Sequence, residues 1–190
     1  MSTLKDLPRV TDILKPYSNF KYVEKTILMR AAERGTAVHG LCASIAKGDW
    51  VPDSLIDPAL AGYVRSFKLW HKDIIEGYHV IEKRYSNPSL GYTGQVDFVV
   101  KLKKSGNFLV DLKTSASPQK TYPVQMAAYM NLIAHCRDNG LKVQGAIIVY
   151  LDKEGEYPKV HQMDDWKEEL EVFLHALECW KFFNKRKSDE

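Results

Sequence analysis

Two aspartates placed inside apolar, strand-like segments constrain this chain more than any other feature. Asp97 follows Gly94-Gln95-Val96 and precedes Phe98-Val99-Val100, and Asp111 follows Phe108-Leu109-Val110 and begins Asp111-Leu112-Lys113-Thr114. A carboxylate taken out of water costs stability unless a cation compensates it, so a fold that buries these segments must bring charge to them. Residues two apart on a strand share a face about 6.6 Å apart, which places the Lys113 ammonium beside the Asp111 carboxylate. Two readings of Asp-x-Lys are open from the residues alone: an exposed ion pair, or half of a divalent-cation site. The apolar flanks and the preceding Gly-x-x-Asp favour the second.

Mg²⁺ takes oxygen ligands in octahedral geometry and is held by one or two carboxylates plus waters and phosphate oxygens. Asp97 and Asp111 on adjacent strands supply such a pair, and Lys113 stands where it can orient a water or offset charge on a phosphate. That chemistry suits phosphodiester hydrolysis.

The period of apolar residues gives the surrounding elements. Val10, Ile13 and Leu14 mark a packed N-terminal arm within residues 1–28. Helical spacing runs from Met29 to about Lys47, with Gly48-Asp49 as its stop. A second helix starts at Asp57-Pro58, carries the stripe Leu60, Val64, Phe67, Trp70 and Ile74, and ends near Gly77. The period then shortens to that of strands at Tyr78–Tyr85, Gly91–Leu102 and Asn107–Lys113, joined by turn signals and hence an antiparallel meander. Thr121–Arg137 reads as a helix closed by Asn139-Gly140, Val143–Leu151 as a central strand, Pro158–His161 as an edge strand, and the chain from Asp164 as a C-terminal helix with a charged tail. The fold class is mixed α/β, one domain over residues 1–190, with a helical part at 29–77, a catalytic sheet and helix at 78–163, and the last helix at 164–190.

Other polar residues leave their roles open. Gln125 and Tyr129 stand four apart and share a helix face, with Tyr122 and Met126 nearby: either the pair contacts a nucleic acid strand, the ring stacking on an unpaired base, or the tyrosine packs on the sheet. His39, in Arg34-Gly35-Thr36-Ala37-Val38-His39, is a satisfied helical histidine or a ligand that suits Mn²⁺. Glu82 either joins the acids or is solvated.

Taken in order, His39, Glu82, Gly94-x-x-Asp97, Asp111-x-Lys113-Thr114 and Gln125-x-x-x-Tyr129 resemble the PD-(D/E)xK nuclease superfamily in its RecB-like branch. With Leu7-Pro8-Arg9-Val10-Thr11-Asp12-Ile13-Leu14, Arg34-Gly35-Thr36-x-x-His39 and Ser115, the pattern is similar to exonucleases that maintain mitochondrial genomes and to their phage relatives. The resemblance implies a restriction-endonuclease-like αβββαβ core, a central mixed sheet flanked by helices. It also implies a site in which His39, Asp97, Asp111 and the Leu112 carbonyl ligate Mg²⁺ or Mn²⁺ and Lys113 is catalytic, with Glu82 behind them or on a second ion. Gln125, Tyr129, Arg34, Thr114 and Ser115 would hold DNA. The implied activity is a metal-dependent DNA exonuclease acting on single-stranded or free ends in replication, recombination or repair. A structure- or sequence-specific endonuclease and a non-cleaving binding module of the same fold are the alternatives.

Bulk properties fit these expectations. A formal net charge of +3 permits contact with a polyanion only through local clusters. Some RecB-like relatives hold an iron–sulfur cluster with four cysteines; Cys42, Cys136 and Cys179 cannot, so no such cluster is expected. Scattered cysteines, an N-terminus without an apolar or Arg-rich leader, and no long apolar run lead to an expectation of a cytoplasmic protein of a bacterial or phage-infected cell, without a membrane partner. An N-terminal extension like that of the mitochondrial proteins is not expected, and their location is not expected to transfer.

Overall fold

A computed structural model describes residues 7–115, 117–136 and 140–184. Five α-helices (α1 Val10–Leu14, α2 Lys25–Lys47, α3 Pro58–Ile74, α4 Thr121–Cys136, α5 Lys167–Phe183) surround five strands (β1 Ile75–Asn87, β2 Tyr92–Leu102, β3 Asn107–Lys113, β4 Gly145–Tyr150, β5 Lys159–Met163). Short 3-10 turns lie at Lys15–Tyr17, Asn19–Tyr22 and Asp53–Leu55.

Local chemistry sets the helix ends. Gly48 adopts φ 84° and its N–H bonds back to Ile45 and Ser44 carbonyls, closing α2 as the sequence predicts. Asp57 accepts from the Ala59 N–H at 2.8 Å and Pro58 occupies the first helical position, so α3 starts where expected. It ends differently: α3 runs to Ile74 and β1 begins at Ile75 with no loop, so Gly77 lies within the strand rather than at a helix stop. α2 begins four residues before Met29, at Lys25. The expected helix end at Arg137 and Asn139 lies outside the described residues, as does the tail from residue 185.

The strands form one mixed sheet in the order β1-β2-β3-β4-β5. β1, β2 and β3 pair antiparallel, as the meander predicts, whereas β3 and β4 run parallel from Phe108↔Gly145 to Lys113↔Tyr150. The parallel step follows from α4, since a crossover helix is the connection that returns the chain to a parallel neighbour. β3 is therefore the central strand, β4 lies beside it, and β5 is the antiparallel edge.

Each face of the sheet has its own core. On one face α1, α4 and α5 pack through Val10, Ile13, Met126, Leu132 and Phe173 against Val99, Leu109 and Ile148. α4 is apolar nearly all round because it lies between the sheet and α5. On the other face α2 and α3 bring Val38, Cys42, Phe67 and Trp70 against Phe98, Val100, Val110 and Val149. The β4–β5 turn docks on α3 where Gly62 leaves no room for a side chain; a Cβ there would stand 1.7 Å from the Lys153 carbonyl oxygen. Among the described residues no helix is long and apolar enough to cross a membrane.

Candidate active site

The site forms where the sheet parts. The β2–β3 ladder ends at Phe98↔Val110, so beyond it the Leu112 N–H loses its strand partner and donates instead to Asp97 Oδ2 at 2.9 Å. At the same point β2 changes face. Tyr92 and Val96 belong to the α4 core, while Phe98, Val100 and Leu102 belong to the α2–α3 core, so the alternation switches at Asp97. Its neighbour across β1 is also irregular: Glu82, between the pairs Ile81↔Phe98 and Lys83↔Val96, sits at φ 48°, a left-handed conformation a glutamate seldom adopts. Asp97 is thus placed where the alternation of β2 breaks opposite a left-handed residue of β1, and its carboxylate reaches the Leu112 N–H of β3.

Four side chains converge there. His39 of α2 places Nδ1 3.2 Å from Asp97 Oδ2, and Lys113 places Nζ 2.6 Å from Asp111 Oδ2. Gln125 on α4 accepts from Lys113 Nζ through Oε1 at 3.1 Å, while its Nε2 donates to the Tyr129 hydroxyl at 2.9 Å and reaches Asp111 Oδ1 at 3.5 Å. The Lys113 ammonium also lies 4.4 Å from the centroid of the Tyr122 ring, whose hydroxyl is 3.0 Å from Ser115 Oγ.

Burial and charge pull against each other at every member. Burial disfavours charged His39, but Asp97 and then Asp111 outweigh it and raise its pKa to about 9. Burial raises Asp97, and the His39 charge and hydrogen bond with the Leu112 N–H prevail to hold it below the usual carboxylate value. Asp111 goes the other way: burial and the Asp97 charge exceed the help from Lys113, and its pKa is raised. Lys113 is disfavoured by burial, yet Asp111 keeps it above the usual lysine value.

The arrangement fits a divalent ion in its donor chemistry. Asp97 and Asp111 offer hard oxygens, and Asp111 Oδ2 is buried without a satisfactory hydrogen bond even though the Lys113 charge is close. His39 is engaged with Asp97, and among the described residues no three of His, Cys, Asp or Glu converge as ligands. A metal held here would therefore take the carboxylates first, and His39 would have to leave Asp97 to join them.

A cleft of about 870 Å³ opens onto this group, between α2 (Leu28, Arg34, Gly35, His39) and the end of β3 (Leu112 to Ser115). Arg34, Thr114 and Ser115 line it; the Arg34 guanidinium lies 5.7 Å from the Tyr63 ring centroid, and its Nε is buried without a hydrogen-bond partner. Two expected residues stand apart. Glu82 is exposed on β1, level with Asp97 along the strand. Tyr129 is 4% exposed, its ring beneath Gly94 and Leu132, so it cannot serve as a stacking surface for a base; its hydroxyl instead steadies Gln125.

That packing explains Gly94. A Cβ there would stand 2.5 Å from Tyr129 Cε1 and 3.1 Å from Leu132 Cδ1. Gly94→Ala is expected to lower stability by about 1–3 kcal/mol through overpacking, read from the urea midpoint, and to loosen Gln125 with the displaced ring. An unchanged midpoint would contradict this account.

Sequence reasoning missed the wall opposite α2. Lys15, Pro16 and Ser18 of the arm line the cleft together with Tyr122. Tyr122 lies one turn before Gln125 on α4, a helical spacing that carried the signal; nothing in the arm's sequence pointed to the cleft.

A mixed sheet whose central strand ends in an acid and a lysine, with a second acid from the next strand and a glutamine from the crossover helix, is the layout of a restriction-endonuclease-like nuclease. Residues 18–187 match the PD-(D/E)XK nuclease superfamily, and the chain belongs to it. It is 28% identical over 200 residues to mitochondrial genome maintenance exonuclease 1 of Xenopus tropicalis, a match covering 92% of this chain and 55% of that protein. The human protein of the same name is 32% identical over 111 residues, covering 55% of this chain and 31% of that protein. The chain thus spans about half the length of the Xenopus relative. The crystal structure of SSO0001 superposes with a TM-score of 0.53 at 15% identity, covering 97% of this chain and 79% of that one, a likeness of fold.

Proposed function

We propose that this chain is a metal-dependent DNA exonuclease that hydrolyses phosphodiester bonds at single-stranded ends, working as one nuclease domain. The observation that carries the reading is the pairing of buried Asp111 and half-buried Asp97 with Lys113, set where the β2–β3 ladder stops and the cleft begins. Family membership and the exonuclease names of its relatives support hydrolysis of nucleic acid; the single-stranded end and the metal are our extension.

In this reading Asp97, Asp111 and the Leu112 carbonyl hold Mg²⁺ or Mn²⁺, with His39 as a further ligand once it is free of Asp97. A bound ion of this kind acidifies water and neutralises charge on a phosphate oxygen. Lys113 keeps its proton beside Asp111 and presents a positive charge to the developing phosphorane, and Gln125 fixes it by accepting one of its protons. Arg34, Thr114 and Ser115 present donors along the cleft for flanking phosphates, with Arg34 Nε still lacking a partner. Glu82, exposed, is left to a second ion or to solvent. The three cysteines are free, which suits a reducing cytoplasm.

The test is product analysis on 5′- and 3′-labelled single strands with Mg²⁺ or Mn²⁺, beside a circular strand of the same sequence. Release of short products from one end, an intact circle and no cleavage in EDTA are expected. Cutting of the circle would replace this reading with an endonuclease, and binding without turnover on any metal would replace it with a binding module.

A further inference from the structure

Lys113 is a flexible, compact cation on a four-carbon stem, and nothing in its own chemistry fixes its direction. An ion-pair partner and a hydrogen-bond acceptor stand on one side: Asp111 Oδ2 at 2.6 Å and Gln125 Oε1 at 3.1 Å. The Tyr122 ring closes another side, its centroid 4.4 Å from Nζ. The ring is itself held. Its hydroxyl meets Ser115 Oγ at 3.0 Å, it packs near the Tyr150 ring at 6.4 Å between centroids, and it rides on the first turn of α4, the helix that carries Gln125.

We infer that Tyr122 is a positioning residue for Lys113: its ring face holds the ammonium at the mouth of the cleft, aimed at the substrate. The inference rests on the nuclease reading of the site. A base stacked on the same ring face would displace the ammonium, so Tyr122 acts through Lys113 rather than on the nucleic acid. Because the face of the ring does the holding, phenylalanine can replace tyrosine and an aliphatic residue cannot.

The experiment compares Tyr122→Phe and Tyr122→Leu, each alone and combined with Lys113→Met, on a labelled single-stranded oligonucleotide with Mn²⁺ under steady-state conditions. Tyr122→Phe is expected to retain most of the rate. Tyr122→Leu is expected to lower kcat about 5- to 30-fold with KM unchanged, and to cause no further loss when Lys113 is already methionine. Three results would overturn the inference: a wild-type rate for Tyr122→Leu, a rise in KM alone, or the same loss in both backgrounds. A second measurement does not depend on activity. The Lys113 ε-methylene protons, above the ring, should resonate upfield in wild type and Tyr122→Phe and return to ordinary positions in Tyr122→Leu. Absence of that shift also overturns the contact, whereas a wild type that cuts nothing but shows the shift refutes the nuclease reading alone.

Discussion

Lys113→Ala is expected to lower the rate of strand cleavage by about 10²–10⁴-fold, the range spanned by loss of a positioned acid–base or electrostatic group. Asp111→Ala should be at least as severe, because it removes both a carboxylate proposed to hold the metal and the partner of Lys113. The lysine variant has a second signature. With Lys113 gone, the buried Asp111 and the half-buried Asp97 are left with His39 to offset them, and breaking a buried ion pair from one side costs about 3–5 kcal/mol. In EDTA the variant should melt well below wild type, and added Mn²⁺ should recover much of the difference by supplying the missing positive charge. Rates and melting curves, with and without metal, separate an unfolded variant from a folded but inactive one. Undiminished cleavage by both variants would remove these residues from the chemistry.

The metal-free protein is also expected to lose stability as pH rises through about 9, and His39 is the cause. Its pKa is raised from 6.5 when unfolded to about 9 when folded, chiefly because the Asp97 carboxylate overcomes the effect of burial. A folded pKa above the unfolded one means the native state binds the proton more tightly, so the stabilisation is fully present below pH 6.5 and is lost as pH climbs to about 9. At 1.4 kcal/mol per unit the effect is on the order of 3 kcal/mol. Melting temperatures in EDTA from pH 6 to pH 10 should therefore fall more steeply for wild type than for His39→Gln, and parallel curves would refute the assignment. The same proton opposes metal. An ion that takes His39 as a ligand must expel it, so Mn²⁺ affinity in wild type should increase across the same interval.

Much of this site was legible because its residues break local rules. An acid in the run Gly94 to Val100 and another in Phe108 to Lys113 contradict their apolar surroundings, and such contradictions concentrate at functional positions. The strand from Asn107 to Lys113 has the bounds its period implies, and the arm residues Val10 and Ile13 are fully buried. What escaped the sequence were properties that arise only when strands meet. The change of face at Asp97 coincides with the left-handed Glu82 across the ladder, and no alternation pattern in either strand alone specifies it. Tyr129 has the chemistry of a stacking platform, and the absent side chain at Gly94 makes the room in which its ring is buried. The direct passage from α3 into β1 was hidden because Ile74 and Ile75 suit either element.

The left-handed backbone at Glu82 bears on how copies of this protein meet one another. Among the described residues β1 is an outer strand of the sheet and, at 13 residues, the longest, so its outer edge would otherwise offer a straight row of backbone donors and acceptors to a neighbouring chain. A left-handed residue in mid-strand, with exposed Glu82, Lys83 and Arg84 in succession, breaks that row and lines it with charge. The irregularity that accompanies the placement of Asp97 thereby also guards the sheet against growing by edge-to-edge addition into aggregates.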